Sequence, residues 1–194
     1  MSAIKEFHFS NPEAVFKVQS SSKLETYRLV SSGAVEFGFV TTPLPVGALS
    51  AGLKYQKLFD IEDVFIGNSD RYGDLSRKLT FDDVCKSSLI TLGKNSLSHR
   101  YQKEFFERNN YPLTPDIECD NLDLVVEFVE AGLGIGWITE AVLIDAIQKE
   151  RKIKKLDFAT PLPRREIGII SKADKELSYL AEKFVDLVKS LKGS

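Results

Sequence analysis

An α/β fold is predicted by two features of this 194-residue sequence. Short apolar runs of strand length alternate with longer segments of helical periodicity, the order typical of sheets covered by helices. In addition, two long extended segments, 56–67 and 164–171, each join otherwise complete sets of strands and helices. These segments predict two lobes connected by two crossing strands, with a ligand-binding cleft between the lobes.

The first forty residues are predicted to form helix, strand, helix and strand. Residues 2–10 read as an amphipathic helix stopped by an Asn-Pro pair, because the residue before a proline is pushed out of helical space. Alternation of side chains predicts a strand at 14–19 and another at 35–40. Between them, the serines at 20–22 offer caps for a helix that Gly33 terminates.

The middle of the chain continues the alternation. Thr80 and Asp83 have the spacing of a capping box, which predicts a helix that begins after Thr80. SLITL is predicted to be a buried strand, followed by a helix that starts near Ser98 and by the short strand DIEC. In NLDLVVEFVEAG, apolar residues at helical spacing predict an amphipathic helix that ends at Gly132.

The last third of the chain adds three strands and two helices. GIGWI, IKKLDF and REIGIIS are predicted to be strands, and TEAVLIDAIQ a capped helix. ADKELSYLAEKFVDLVKSLKG carries its apolar residues on one helical face, with Gly193 past the end. This pattern predicts a C-terminal helix that packs on a sheet.

The composition argues against several classes of function. Its 26 basic and 28 acidic side chains give a net charge of −2, whereas a self-sufficient DNA-binding module normally carries a basic surplus. Cys85 and Cys119 form neither a disulfide framework nor a C-x-x-C pair, which favours a reducing cytoplasm. No signal peptide is visible and no apolar run approaches the roughly 18 residues of a membrane span, so no membrane partner is expected.

Catalytic and cofactor sites have little support in the sequence. His8 and His99 are far apart and belong to no set with metal-ligand spacing. GLGIG follows a helix and leads into a strand, the reverse of the order in a dinucleotide-binding motif. Cys85 and Cys119 resemble small buried hydrophobic residues more than nucleophiles. We therefore expect no enzymatic activity, no metal and no cofactor.

Four stretches together resemble one known family, and one of them, LITLGKNSLSHRYQKEFFERN, resembles its pattern of strand, loop and helix. IKEFHFSNPEAVFKVQSSSKLETYRLVSSGAVEFGFV resembles the opening of the effector-binding domain of LysR-type transcriptional regulators. DLVVEFVEAGLGIGWIT is similar to the family's helix, glycine turn and strand. REIGIISKADKELSYLAEKFVDLV resembles its returning strand and terminal helix. The order of these stretches, more than any single motif, carries the resemblance.

The resemblance implies a two-lobed fold like that of type II periplasmic binding proteins, each lobe a mixed sheet flanked by helices. Lobe I would comprise residues 1–66 and 166–194, and lobe II residues 67–165. In that fold Gly132 ends a helix with a left-handed turn, while Gly134 and Gly136 let strand and helix approach closely.

Two parts of the family pattern are not found in these residues. The DNA-binding winged helix-turn-helix with its linker helix, and the first strand of lobe I, should both precede Ala3. Loss of a central strand leaves backbone groups without partners, which is costly when they are buried. We therefore expect the strands at 14–19 and 35–40 to pair directly with each other or with a partner chain.

The resemblance also implies an effector site formed by loops at strand ends. Hydroxyls and the N–H groups of helix N-termini suit a carboxylate or another small anion. A plain helix cap is an equally good reading of each serine and threonine, a solvated side chain is the better reading of Lys94, and a core residue the better reading of Trp137. The implied site residues are Ser20, Ser21, Ser22, Thr41, Thr42, Gly93, Lys94, Asn95, Ser96, Ser98, Trp137 and Thr139.

The function that the resemblance implies is effector sensing in a cytoplasmic transcription regulator. The expected partners are a small-molecule effector and further copies of the chain, in a homodimer or tetramer. Nucleic acid would be contacted only through the absent N-terminal domain. The alternative is a two-lobed solute-binding protein of a transporter, which shares the fold.

Overall fold

The computed structural model describes residues 2–19, 21–49 and 52–191, which carry eight α-helices and eight strands. The helices are α1 (Ser2–Ser10), α2 (Lys23–Ser32), α3 (Ser69–Tyr72), α4 (Phe81–Lys86), α5 (Leu97–Arg108), α6 (Leu122–Glu130), α7 (Glu140–Gln148) and α8 (Tyr179–Ser190). The strands are β1 (Phe37–Thr41), β2 (Leu53–Ile61), β3 (Asp63–Asn68), β4 (Leu89–Leu92), β5 (Ile117–Cys119), β6 (Ile135–Thr139), β7 (Ile153–Leu156) and β8 (Arg165–Lys172). The predicted α/β class is confirmed.

The chain divides into two compact units. The first comprises Met1–Asp60 and Glu166–Ser194, and the second Ile61–Arg165. The expected boundary after residue 66 falls inside β3, which pairs with β6 and β7 of the second unit. The division therefore comes earlier in the structure than in the sequence-based expectation.

The first unit is built on a three-stranded sheet in the order β1-β8-β2. β1 runs antiparallel to β8, with Phe37 opposite Ser171 and Thr41 opposite Ile167. Val30 of α2 packs with Val40 and Ile170 in one core cluster of this unit. α1 and α8 meet in a second cluster, where the rings of Phe7, Phe16 and Phe184 pack edge to face at centroid distances of 5.3–5.7 Å.

The strand expected at 14–19 is wrong within the described residues. Ala14–Gln19 has no regular secondary structure, and β1 takes β8 as its only strand neighbour there. The direct pairing expected between 14–19 and 35–40 is therefore absent from the described part of the chain. Alternating side chains do favour a strand, but a strand also needs a neighbour that accepts its backbone hydrogen bonds.

The second unit is built on a five-stranded mixed sheet in the order β5-β4-β6-β3-β7. β4 is parallel to both β5 and β6, whereas β3 is antiparallel to both β6 and β7. Side chains alternate between two core clusters, since Val64 and Ile66 belong to one cluster and Phe65 to the other. Both faces of this sheet are therefore covered, as the near-continuous apolar strands require.

Several helix ends agree with the sequence-based predictions and one differs from them. The capping box of Thr80 and Asp83 is confirmed, as is the left-handed Gly33 that ends α2. α5 begins at Leu97, which confirms the expected start near Ser98, and Ser96 caps it by accepting from an N–H of the first turn. α8 begins at Tyr179, because Ser178 caps it there, so the expected start at residue 173 is wrong. Gly193 lies outside the described residues.

Gly134 lets the start of β6 approach the chain before β4. A Cβ on Gly134 would lie 2.1 Å from the carbonyl oxygen of Ser88, which is backbone and can move only with its strand. A Cβ on Gly136 would meet side chains of Val125 and Val129 on α6 at 2.8–3.0 Å. The expected close approach of strand and helix is confirmed at Gly136, whereas Gly134 approaches the loop before β4 and not a helix.

Gly134→Ala is expected to destabilise the second unit by about 1–3 kcal/mol through overpacking. Gly93→Ala is the matched control, because its Cβ would meet only ordinary contacts at 3.6 and 3.8 Å, and its cost should stay within about 0.5 kcal/mol. Urea unfolding followed by fluorescence of the single tryptophan measures both changes. Equal stabilities of the two variants would contradict the close approach at Gly134.

Candidate functional site

The carboxyl edge of the parallel strands in the second unit gathers most of the predicted site residues. β4 and β6 lie side by side in register, with Leu89 opposite Ile135 and Ile90 opposite Gly136. The loop after β4 (93–96) and Thr139 at the end of β6 therefore reach the same edge. α5 and α7 begin at this edge, so the N–H groups of two helix N-termini point toward it.

Two serines at the start of α5 have different roles. The Ser96 hydroxyl accepts a hydrogen bond from the His99 N–H at 2.9 Å, so its role as a helix cap is confirmed. Ser98 is half-buried in the first turn of the helix, and its hydroxyl has no hydrogen-bond partner among the described residues. Ser98 thus keeps its donor and acceptor for another group.

Thr139 occupies the N-cap position of α7 without capping it. Its side chain makes no capping hydrogen bond, although its φ and ψ of −79° and 146° are those of an N-cap residue. Side-chain caps are formed at the other described N-caps, which are Ser22, Asn68, Thr80, Ser96, Asn121 and Ser178. The half-buried Thr139 hydroxyl is therefore unused, whereas the Glu140 N–H at the start of α7 already donates to the Glu62 carbonyl at 2.9 Å.

The loop between β4 and α5 is held by the neighbouring strand β5. The Gly93 N–H donates to the Cys119 carbonyl at 2.9 Å, and the Lys94 N–H donates to a carboxylate oxygen of Glu118 at 3.0 Å. The side chains of Lys94 and Asn95 are exposed. The loop is thus fixed through its backbone, while a lysine charge remains in solvent at the same edge.

Trp137 is a core residue of the second unit. Its side chain is fully buried, with ring centroids of Phe65 and Phe105 at 5.1 and 5.5 Å. Its carbonyl accepts a hydrogen bond from Gln102 Nε2 at 3.4 Å. The indole supports the strand that carries Thr139 and does not reach the surface.

A buried ion pair at this edge was not foreseen from the sequence. Asp63 lies opposite Thr139 in the β3–β6 pairing, and its carboxylate accepts a hydrogen bond from the Arg165 guanidinium. The Tyr101 ring lies 5.0 Å from the guanidinium carbon. Asp63 and Arg165 are 102 residues apart in the chain, and no local pattern pairs residues at that separation.

Burial raises the pKa of the Asp63 carboxyl, while the Arg165 guanidinium and the Trp137 N–H oppose that rise. The side chains of Asp63 and Arg165 are 0% and 6% exposed. Asp63 Oδ2 and Trp137 Nε1 nevertheless have no hydrogen bond of regular geometry. The charged pair therefore depends on the single contact between Asp63 and Arg165.

The remaining predicted residues form a second group, in the first unit. The Ser22 hydroxyl caps α2 by accepting from the Glu25 N–H at 3.3 Å, and the Ser21 hydroxyl lies 3.0 Å from that of Thr26. Thr42 accepts from the Glu166 N–H at 2.8 Å. Ser20 lies outside the described residues.

Lys23 connects the serines at the start of α2 with the threonines at the end of β1. Its ammonium donates to the Thr41 carbonyl at 2.7 Å, which links the start of α2 to the end of β1. Lys23 is not among the site residues predicted from the sequence. The sequence feature that could have indicated Lys23 as a site residue is its position directly after three serines at the start of a helix.

Metal and thiol chemistry find no arranged site in the described part of the chain. Residues 2–19, 21–49 and 52–191 hold no group of three or more His, Cys, Asp and Glu side chains that could bind a metal ion. His99 is buried with Nδ1 3.0 Å from the Leu92 carbonyl oxygen. Cys119 is buried as expected, but Cys85 is exposed, so the expectation that both are buried is wrong for Cys85. Among the described helices, none has the length and apolar character needed to cross a membrane.

Solved structures share this fold at low sequence identity. The chain is similar to the regulatory domain of Synechocystis PCC6803 CcmR in complex with 2-PG, with 16% identity and a TM-score of 0.84 over 98% of this chain and 89% of that one. It is also similar to a sulfate-bound mutant regulatory domain of OxyR2 from Vibrio vulnificus (13% identity, TM-score 0.82, 98% and 88% of the two chains). The cofactor-binding domain of the Cbl transcriptional regulator gives 20% identity and a TM-score of 0.82 over 99% and 85%.

Sequence comparison assigns the chain to the same family. No curated protein matches it in sequence. The family model of the LysR substrate binding domain matches residues 1–192, which is almost the whole chain. This match, together with the fold, does not favour the alternative of a transporter's solute-binding protein. The chain belongs to the LysR substrate-binding domain family, the effector-binding domains of LysR-type transcriptional regulators.

Proposed function

We propose that this domain senses a small anionic effector, bound at the carboxyl edge of β4 and β6 in the second unit. The observation that carries the proposal is Thr139, the described N-cap residue whose hydroxyl makes no cap. Together with the unpartnered hydroxyl of Ser98, it leaves two side-chain donors beside two helix N-termini. Such a set suits an oxyanion, because N–H dipoles and hydroxyls stabilise negative charge.

Lys94 supplies a positive charge at this edge, where the nearby carboxylates of Glu118 and Glu140 already have partners in the Lys94 N–H and in Lys155. The ammonium of Lys94 is exposed in the loop after β4 and has no ion-pair partner among the described residues. The carboxylate of Asp63 is buried and neutralised by Arg165. The relatives bound to sulfate and to 2-PG give further support for ligand binding on this fold.

Lys23 and the hydroxyls of the first unit are proposed as a separate candidate site for an anion. Lys23 brings a positive charge to the N-terminus of α2, next to Ser21 and Ser22. Thr41 ends β1 and Thr42 follows it at the same place. We further propose a cytoplasmic location, a homodimer or tetramer, and contact with DNA through a separate domain of the regulator.

Sulfate is the probe for the proposed site. In a ¹⁵N-labelled sample titrated with sodium sulfate at constant ionic strength, the amides of Leu97, Ser98 and Ala141 should shift in a saturable way. Ser98→Ala and Thr139→Val should each weaken binding about tenfold, because a hydrogen bond to a charged group contributes about 1.5 kcal/mol or more. Sodium chloride alone should not reproduce these shifts.

Thr160→Val is the matched control for Thr139→Val. Thr160 is a half-buried threonine of the same unit whose hydroxyl has no hydrogen-bond partner among the described residues. Its removal should leave the sulfate affinity unchanged. Identical affinities in the two valine variants would exclude the Thr139 edge as the anion site, while shifts confined to Lys23 and its neighbours would move the site to the first unit.

A further inference from the structure

A cavity of about 400 Å³ lies beside α8 in the first unit, and its volume is within the usual range of small-molecule sites. It is lined by the start of β2, by Ser171 near the end of β8, and by the segment 176–186. Phe37 lies opposite Ser171 in the β1–β8 pairing, so both side chains point to the same face of the sheet. Because the ring centroid of Phe37 lies 6.4 Å from that of Phe184 on α8, Ser171 also faces α8. The cavity therefore lies between the sheet and this helix.

Ser171 places a buried hydroxyl without a partner on the wall of this cavity. The residue is only 3% exposed, yet its Oγ forms no hydrogen bond within residues 2–19, 21–49 and 52–191. Buried hydroxyls normally have a partner, because burial without one costs free energy. Since Ser171 lines the cavity, a ligand bound there can supply the missing hydrogen bond.

Carboxylates outnumber cations on the cavity wall. Glu176, Glu182 and Asp186 line it together with one ammonium group, that of Lys54. The Lys54 ammonium is already engaged by Glu176, with Nζ and Oε2 3.2 Å apart. The wall therefore presents an excess of negative charge, which favours a cation as the ligand.

Glu182 and Asp186 lie one helical turn apart on the same face of α8. Like charges at positions i and i+4 repel each other and destabilise a helix. The Glu182 carboxylate has no ion-pair partner in the part of the chain that the structure describes, and Asp186 lies 3.4 Å from the Lys189 ammonium. The Asp186 side chain is 75% exposed, and such surface pairs contribute little to stability, so a ligand can replace Lys189. A bound cation would relieve the repulsion between the two carboxylates.

The arrangement suits an organic cation more than a metal ion. Metal ions bind their ligands at about 2.0–2.6 Å, and no three His, Cys, Asp or Glu side chains among the described residues could hold one. Ammonium groups on an aliphatic chain can instead reach carboxylates that lie apart. Val185, which is 2% exposed, and the half-buried Leu177 give the cavity an apolar part that can contact methylene groups.

We propose that this cavity binds a small aliphatic diamine, whose two amino groups are protonated near neutral pH. One ammonium group would donate a hydrogen bond to the Ser171 hydroxyl oxygen, and Glu182 and Asp186 would balance the two positive charges. Hydrogen bonds from a charged donor are stronger than those between neutral groups. The domain would then have a cation site in its first unit, and this proposal does not depend on the anion site of the second unit.

1,4-Diaminobutane is the probe for this site, added to a ¹⁵N-labelled sample of the whole chain near neutral pH and at constant ionic strength. The amides of Ser171, Leu177, Glu182 and Asp186 should shift in a saturable way. 1,4-Butanediol has the same chain without charge and should not shift them. Butylammonium should bind about tenfold more weakly than the diamine, because it leaves one carboxylate unbalanced.

Ser171→Ala and Glu182→Gln test the two kinds of contact. Ser171→Ala should weaken diamine binding about tenfold, because a hydrogen bond from a charged donor is lost. It should not lower the stability of the free protein, since the hydroxyl that it removes has no partner in the described residues. Glu182→Gln keeps the size of the side chain and should also weaken diamine binding about tenfold.

Glu6→Gln is the matched control for Glu182→Gln. Glu6 is an exposed glutamate on α1 of the same unit, does not line the cavity, and has no ion-pair partner among the described residues. Its replacement should leave the diamine affinity unchanged. Equal weakening in the two glutamine variants would reduce the effect to net charge and overturn the proposal.

Magnesium chloride separates a built site from a general attraction of cations. At the same ionic strength, magnesium should leave the amide of Ser171 unshifted. The proposal is overturned if magnesium competes with the diamine at equal affinity, or if Ser171→Ala binds the diamine as tightly as the unmodified protein. Diamine-induced shifts confined to the second unit would also overturn it. None of these outcomes bears on the sulfate titration that tests Ser98 and Thr139.

Discussion

Arg165→Met is expected to lower the free energy of unfolding of the second unit by about 3–5 kcal/mol. The substitution leaves Asp63, whose side chain is 0% exposed, without its cation. The Asp63 carboxylate then has no hydrogen-bond donor of regular geometry, because its second oxygen already lacks one. Urea unfolding monitored by the fluorescence of Trp137, the only tryptophan, measures the loss.

The loss caused by Arg165→Met should depend on pH. Burial already raises the pKa of Asp63 in the folded protein, and removal of the opposing guanidinium raises it further. The folded variant then binds a proton more tightly than the unfolded chain, whose Asp63 has a pKa of about 3.9. The variant should therefore be least stable above the folded pKa and should recover stability as the pH falls toward 4.

Two further variants separate the buried pair from the arginine itself. Arg164→Met is the matched control, because the Arg164 side chain is 78% exposed and its nearest carboxylate, Glu62, is 4.0 Å away. Its effect should stay within about 0.5 kcal/mol. Asp63→Leu combined with Arg165→Met should be more stable than Arg165→Met alone, since no unpaired charge remains. A loss of unfolding free energy in Arg165→Met that does not depend on pH and is equally large in the double variant would contradict a buried ion pair.

Local chemistry made most helices predictable. The capping box at Thr80, the left-handed glycines after α2 and α6, and the apolar stripe of α6 each act within a few residues, so the sequence contains the whole cause. The close approach of β6 and α6 at Gly136 was also expected, through the family resemblance. Of the hydroxyls predicted as site residues, Ser22 and Ser96 act as helix caps.

Features that depend on distant partners could not be derived from the sequence. The segment 14–19 has the alternation of a strand, but the described residues provide no neighbouring strand for it. The boundary between the units follows the pairing of β3 with β6 and β7, which no local pattern encodes. The absence of a side-chain cap at Thr139, the observation that supports the anion site, depends on side-chain geometry alone.

Trp137→Ala is expected to destabilise the second unit by about 3–5 kcal/mol, the usual cost of truncating a buried tryptophan. The indole is 0% exposed and its ring packs against Phe65, Phe105 and Phe106. Urea unfolding followed by far-ultraviolet circular dichroism measures the loss. Phe9→Ala, at an aromatic residue that is 73% exposed, should change the stability by no more than about 0.5 kcal/mol.

Trp137→Phe distinguishes the two roles that the sequence left open for this residue, a core residue and a residue that contacts the ligand. Phenylalanine keeps an aromatic ring in the cluster with Phe65 and Phe105, so most of the packing and the position of Thr139 should be retained. If the indole only supports the core, the sulfate affinity of Trp137→Phe should equal that of the unmodified protein, even though its stability falls. A tenfold weaker affinity, as expected for Thr139→Val, would show that the indole contacts the ligand. Because the Trp137 ring is fully buried in the core beside β6, we expect the sulfate affinity of Trp137→Phe to equal that of the unmodified protein.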